Sequence, residues 1–141
     1  MTRASNIKIL VIHGPNMNLL GLRKRGDGSR ITLDKLNRHL KKAAREIGSS
    51  LIIIQTNDES KAVKVLQRQR NKICSALLFP GPWQQSGFVL KDTLELLKIP
   101  YITISLGENV TLLKGIDNIG GDILKACETA LEQLTQLIEL H

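Results

Sequence analysis

Aromatic side chains are nearly absent from this 141-residue chain, which has one Trp, one Tyr and two Phe. Single-stranded nucleic acid is held largely by bases stacking on aromatic platforms, so that class of binder is not supported and nucleic acid is not an expected partner. Cysteine is scarce as well. Cys74 and Cys127 stand among apolar or helical neighbours without metal-ligand spacing, so two buried reduced thiols are expected, with no disulfide and no metal site. No apolar run approaches the roughly twenty residues that span a bilayer. The opening MTRASNIKILVI lacks the charged, apolar and small-residue sections of a secretory signal. A cytoplasmic protein with no membrane partner is therefore expected. The dinucleotide fingerprint G-x-G-x-x-G is also missing.

Acidic residues are short in the first half. Residues 1–72 hold 16 Lys and Arg against 5 Asp and Glu, a balance of +11, whereas residues 73–141 hold 4 against 8, a balance of −4. Solvated helix faces would explain this asymmetry, as would an anionic partner or self-association of basic and acidic faces.

What the chain does have is alternation. Four short runs, IKILVI (7–12), LIIIQ (51–55), SALLF (75–79) and YITISL (101–106), are nearly continuously apolar and rich in β-branched residues. That pattern predicts strands covered on both faces. Helical periodicity predicts helices between and after them. Residues 33–47 place Leu36, Leu40, Ala43 and Ile47 on one face. Residues 60–71 begin at Ser60 as a candidate N-cap. Residues 86–97 carry Phe88, Val89, Leu94 and Leu97, and residues 121–138 carry Ile123, Leu124, Cys127, Leu131, Leu134 and Leu137. One domain over residues 1–141 is expected, an α/β fold with a parallel sheet of order 2-1-3-4 and helices on both faces. A fifth strand follows if NVTLL (109–113) pairs. Ligands of such sheets sit beyond the carboxyl ends of the strands, which singles out segments 13–31, 56–60, 80–86 and 107–120.

Those segments carry a specific pattern. ILVIHGPNMNLLGLR (9–23), QTNDES (55–60), FPGPWQQSGFVLKDTL (79–94) and IPYITISL (99–106) together are similar to the type II 3-dehydroquinate dehydratases. The resemblance covers about residues 7 to 106. It implies a flavodoxin-like sheet, assembly as trimers or a dodecamer of trimers, and a reaction that uses no metal or cofactor. It also implies roles. An arginine holds a tyrosine of the first loop toward its ionised form, an asparagine steadies the enolate, and a histidine after the fourth strand protonates the leaving hydroxyl.

Asn16 and Arg23 stand at matching positions, but the tyrosine position is Gly28, with Asp27 the nearest carboxylate. The family's asparagine after the third strand is Phe79 here, and its histidine in the following turn is Gln85. The glutamate-x-histidine of the fourth strand reads Thr103 and Ser105, and the serine-asparagine that grips the substrate carboxylate reads Gly107 and Glu108. Asp92 matches an aspartate that faces a neighbouring subunit.

Beside each of these stands a plainer reading. Gly14 and Asn16 suit a tight turn. Arg23 is one of three cations in RKR, His13 is a structural imidazole or the histidine nearest the pocket, and Asp58 belongs to a segment compatible with the scaffold. Phe79 and Trp83, with Pro80 and Gly81, either fill the old cavity or form a new partner surface. Ligand contacts are thus expected from Asn16, Arg23, His13, Asp58, Pro80, Gly81 and Trp83. Three function classes follow: a catalytically degenerate relative kept as a scaffold, binding or regulatory protein; an enzyme of the same fold with altered chemistry or substrate; and an active dehydratase with relocated groups. The expected partners are further copies of the chain, a small anion or a protein.

Overall fold

A computed structural model describes residues 7–22, 30–107, 109–117 and 122–139. Five strands form one parallel sheet in the order β2-β1-β3-β4-β5: β1 is Ile7–His13, β2 Ser49–Gln55, β3 Ser75–Phe79, β4 Tyr101–Ser105 and β5 Gly115–Asp117. β1 pairs with β2 from Ile7↔Ser49 to His13↔Gln55, and with β3 from Ile9↔Ser75 to His13↔Phe79. The carboxyl ends of the three strands are therefore level, and the loops leaving them meet.

Side chains alternate across the sheet. Ile9, Val11, Leu77 and Ile104 point to one face and pack with α1 (Leu33–Glu46) and α5 (Ile123–Glu139). Leu10, Ile12 and Leu78 point to the other and pack with Ala62, Leu66, Leu90 and Leu94 of α2 (Glu59–Gln69) and α4 (Phe88–Leu96). Continuous apolar strands are explained by this double cover.

Four sequence expectations are corrected. The fifth strand is Gly115–Asp117 and not NVTLL, whose residues 111–113 are tied to a buried glutamine described below. Helix α2 is capped by Asp58, which accepts the Ser60 N–H at 2.9 Å, so Ser60 lies inside the helix. The helix expected over 86–97 is α4, which starts at Phe88, and a separate short helix α3 (Trp83–Ser86) precedes it, because Gly87 between them is non-helical (φ −84°, ψ 48°). A Cβ on Gly87 would stand 2.7 Å from the Trp83 carbonyl oxygen, which only glycine avoids. Finally, Phe88 and Val89 are exposed (64% and 62%), while Leu90, Thr93 and Leu94 are the buried residues of α4.

Candidate functional site

The first loop leaves β1 through Gly14, whose N–H donates to the Phe79 carbonyl at 2.9 Å. A Cβ there would meet that oxygen at 2.6 Å and the Trp83 ring at 3.1 Å, so the turn depends on glycine. Asn16 adopts the left-handed conformation (φ 67°) that asparagine tolerates better than most residues. Its N–H donates to Asn57 Oδ1 at 2.9 Å, and Gln55 Nε2 donates to the Gly14 carbonyl and to Asn57 Oδ1. A 3₁₀ turn over Met17–Leu22 follows, anchored by buried Met17 and Leu20. Asn16 itself stays exposed at the end of β1. Arg23, Asp27, Gly28 and Glu108 lie outside the described residues.

His13 ends β1 and is fully buried. Its ring stacks on Phe79, with centroids 4.8 Å apart and planes at 26°. Nε2 lies 2.7 Å from Asn37 Oδ1 of α1, so Nε2 carries the proton and donates. Nδ1 is buried without a hydrogen-bond partner among the described residues. Burial lowers the imidazole pKa to about 4, against a smaller upward pull from the Asn37 bond. The ring is neutral at pH 7.

The β3–β4 end is closed by bulk and by one carboxamide. Phe79 and Trp83 are 1% and 4% exposed, so they fill the space; the alternative of a new partner surface is corrected. Gln84 is buried beside them. Its Oε1 accepts the N–H groups of Thr111, Leu112 and Leu113 at 3.2, 3.1 and 2.8 Å. Its Nε2 donates to Thr103 Oγ1 and to the Leu113 carbonyl. The Thr103 hydroxyl donates to the Lys114 carbonyl. Residues 111–114 are thereby strapped across the end of β4. Ser105, two residues on and hence on the same face as Thr103, is buried, and its Oγ has no partner among the described residues.

Among the titratable residues singled out from sequence and described, none is poised as an acid or base where the loops leaving β1 and β3 meet. His13 is enclosed, Asp58 caps α2, and Asp92 lies on α4. Gln85 is exposed, Pro80 is buried, and Gly81 turns with φ 53°. Asp92 borders an open groove of about 550 Å³ with Phe88, Val89, Lys91, Glu95 and Leu112. The structure thus joins His13 to Phe79, and it sets Trp83 against Gly14; Asp92 and Asp58 are apart from that cluster. Gln84 and Asn37 were not anticipated from sequence, because their partners lie about 20 to 30 residues away and leave no local pattern.

Residues 7–111 match the family model for class II dehydroquinase. The 3-dehydroquinate dehydratase of Roseiflexus castenholzii is 37% identical over 100 residues, covering 71% of this chain and 64% of that protein. The 3-dehydroquinate dehydratase of Trichodesmium erythraeum is 36% identical over 98 residues, covering 70% and 65%. The matched stretch spans less than two thirds of either relative. The type II dehydroquinase of Butyrivibrio crossotus superposes with a TM-score of 0.79 at 22% identity, covering 93% of this chain and 99% of that one. That of Propionibacterium acnes gives 0.75 at 25% identity, covering 92% and 96%.

Proposed function

The chain belongs to the class II dehydroquinase family, and we propose that it is a member that does not dehydrate 3-dehydroquinate and serves as a scaffold, binding or regulatory protein. One observation carries this reading. Where the resemblance expects an asparagine beside the substrate, Phe79 is buried and stacked on His13, and Trp83 fills the adjoining space. A proton next to a ketone needs a base within hydrogen-bonding reach, and the leaving hydroxyl needs an acid. Ser105, at the family's histidine position, is too weak an acid to donate at neutral pH, and Gly28 has no side chain. Each positioned acid or base contributes about 10²–10⁴-fold, so losing both removes most of the rate.

A relocated mechanism would call first on His13. Its burial, its bond to Asn37 and its lowered pKa keep it from exchanging protons with a substrate in the crevice. Exposed Asn16 is still available to a small anion at the end of β1. Self-association as a trimer or dodecamer belongs to the same proposal, supported by Asp92 and exposed Phe88 and Val89 along one groove. Purified protein mixed with 3-dehydroquinate, followed by enone absorbance, tests the reading. Turnover at least about a thousandfold below an intact relative is expected, and an ordinary enzymatic rate would refute it.

A further inference from the structure

The outward face of α2 carries cations with no acid among them. Lys61, Lys64 and Arg68 follow at spacings of three and four residues, so they form one stripe of about 10 Å, and Lys72 follows in the turn after the helix ends at Gln69. All four are exposed, as are Gln67 and Asn71 between them. None of the four cations enters an ion pair among the described residues. On α1 one exposed cation, Arg38, is paired (with Asp34), while Lys35, Lys41, Lys42 and Arg45 enter no ion pair among the described residues, and α4 pairs Lys91 with Glu95. The sequence from residue 60 to 91 contains no Asp or Glu at all. The two acids just before it are committed elsewhere: Asp58 caps α2, and Glu59 accepts the Leu90 N–H of α4 at 2.8 Å.

Helix stability does not account for this stripe. Lys61 sits in the first turn, at the positive end of the helix dipole, and only Arg68 lies in the last turn, where a cation is favoured. Lys61 with Lys64 and Lys64 with Arg68 are like-charge neighbours at i,i+3 and i,i+4, which oppose the helix. A surface that works against its own helix is a candidate for an external anion.

We propose that this face of α2 is a sequence-independent contact surface for the phosphate backbone of duplex nucleic acid. Its chemistry selects among polyanions. A membrane-surface helix needs a free apolar face, and that of α2 (Ala62, Val63, Leu66) is consumed in the core. A protein partner needs an aromatic or apolar anchor, and the exposed residues of the stripe offer none. Phosphate contacts need only Lys, Arg, Gln and Asn, the residues present. The shortage of aromatics argues against single strands, which bind by stacking, and leaves a duplex backbone untouched by that argument.

The test is fluorescence anisotropy of the full chain with a labelled mixed-sequence DNA duplex of about 20 base pairs. A Kd in the non-specific range of about 10⁻⁴–10⁻⁶ M at physiological salt is expected. For four phosphate contacts log K should fall with log salt at a slope near −3.6, about a hundredfold between about 50 and about 200 mM. Lys61→Ala/Lys64→Ala/Arg68→Ala should flatten that slope by about 2.7 with a thermal midpoint equal to or above that of the wild type, and Lys61→Arg/Lys64→Arg should keep the slope. Absence of duplex binding at about 50 mM salt would overturn the proposal. So would binding indifferent to the triple substitution, equal or tighter binding of oligo-dT, or equal binding of phosphatidylserine vesicles.

Discussion

At the β1–β2 end of the sheet the chain turns through Gly14 and Asn16, and polar contacts to Asn57 and Gln55 leave Asn16 facing solvent. At the β3–β4 end Phe79, Trp83 and Gln84 are buried, and residues 111–113 are pulled down upon them. The first end keeps Gly14 and Asn16 where the family resemblance expects them, and the second has Phe79 and Gln85 where it expects an asparagine and a histidine. Retention follows backbone demand: a close approach and a left-handed φ restrict what can stand at Gly14 and Asn16. Of the positions where the resemblance expects reactive side chains, Phe79, Thr103 and Ser105 are buried and pack, while Gln85 is exposed.

If packing is what the β3–β4 end now provides, its side chains should matter most to stability. Trp83→Ala is expected to cost about 3–5 kcal/mol in denaturant unfolding, the range for emptying a large buried aromatic site. Gln84→Ala should cost about 2–4 kcal/mol, because a carboxamide with five hydrogen-bond contacts leaves several backbone N–H groups unpaired. A loss below about 1 kcal/mol for both would erase the distinction between the two ends.

His13 joins the ends and gives a pH signature. Its folded pKa of about 4 lies below the unfolded 6.5, so the unfolded chain binds the proton first. Stability from this group is full above about pH 6.5 and is lost as pH falls toward 4. Between pH 7 and pH 4.5 the loss should be about 2–3 kcal/mol. His13→Asn should lack that component, which the difference between the two pH profiles isolates from titrating carboxylates. The smallest effect belongs to the open end. Asn57→Ala removes two exposed hydrogen bonds and should cost about 1 kcal/mol or less in the same unfolding measurement.

Much of the scaffold was legible in sequence because central strands with two covered faces cannot avoid reading as continuous apolar runs. β1 and β3 are buried along almost their whole length, and both were found, as was the order 2-1-3-4. The fifth strand was misplaced because NVTLL has a strand's composition while its backbone N–H groups at 111–113 are taken by Gln84. Phe88 and Val89 were grouped with Leu94 and Leu97 as the apolar residues of the helix expected over 86–97, yet the break at Gly87 resets the helical phase and turns Leu90 and Leu94 inward. The resemblance pointed to Phe79 and Trp83; their closure on His13 and Gly14 is a matter of contacts between distant segments.

The most direct test of the closed β3–β4 end is enone absorbance in a turnover assay of Gly28→Tyr/Ser105→His with 3-dehydroquinate, beside wild type and an intact relative. Both missing side chains are then present, while Phe79 and Trp83 still occupy the crevice. The account expects the double variant to stay at least about a thousandfold below the intact relative, as the acid and base cannot meet a substrate that does not enter. A rate near that of the intact relative would show that the crevice admits substrate, and would contradict it.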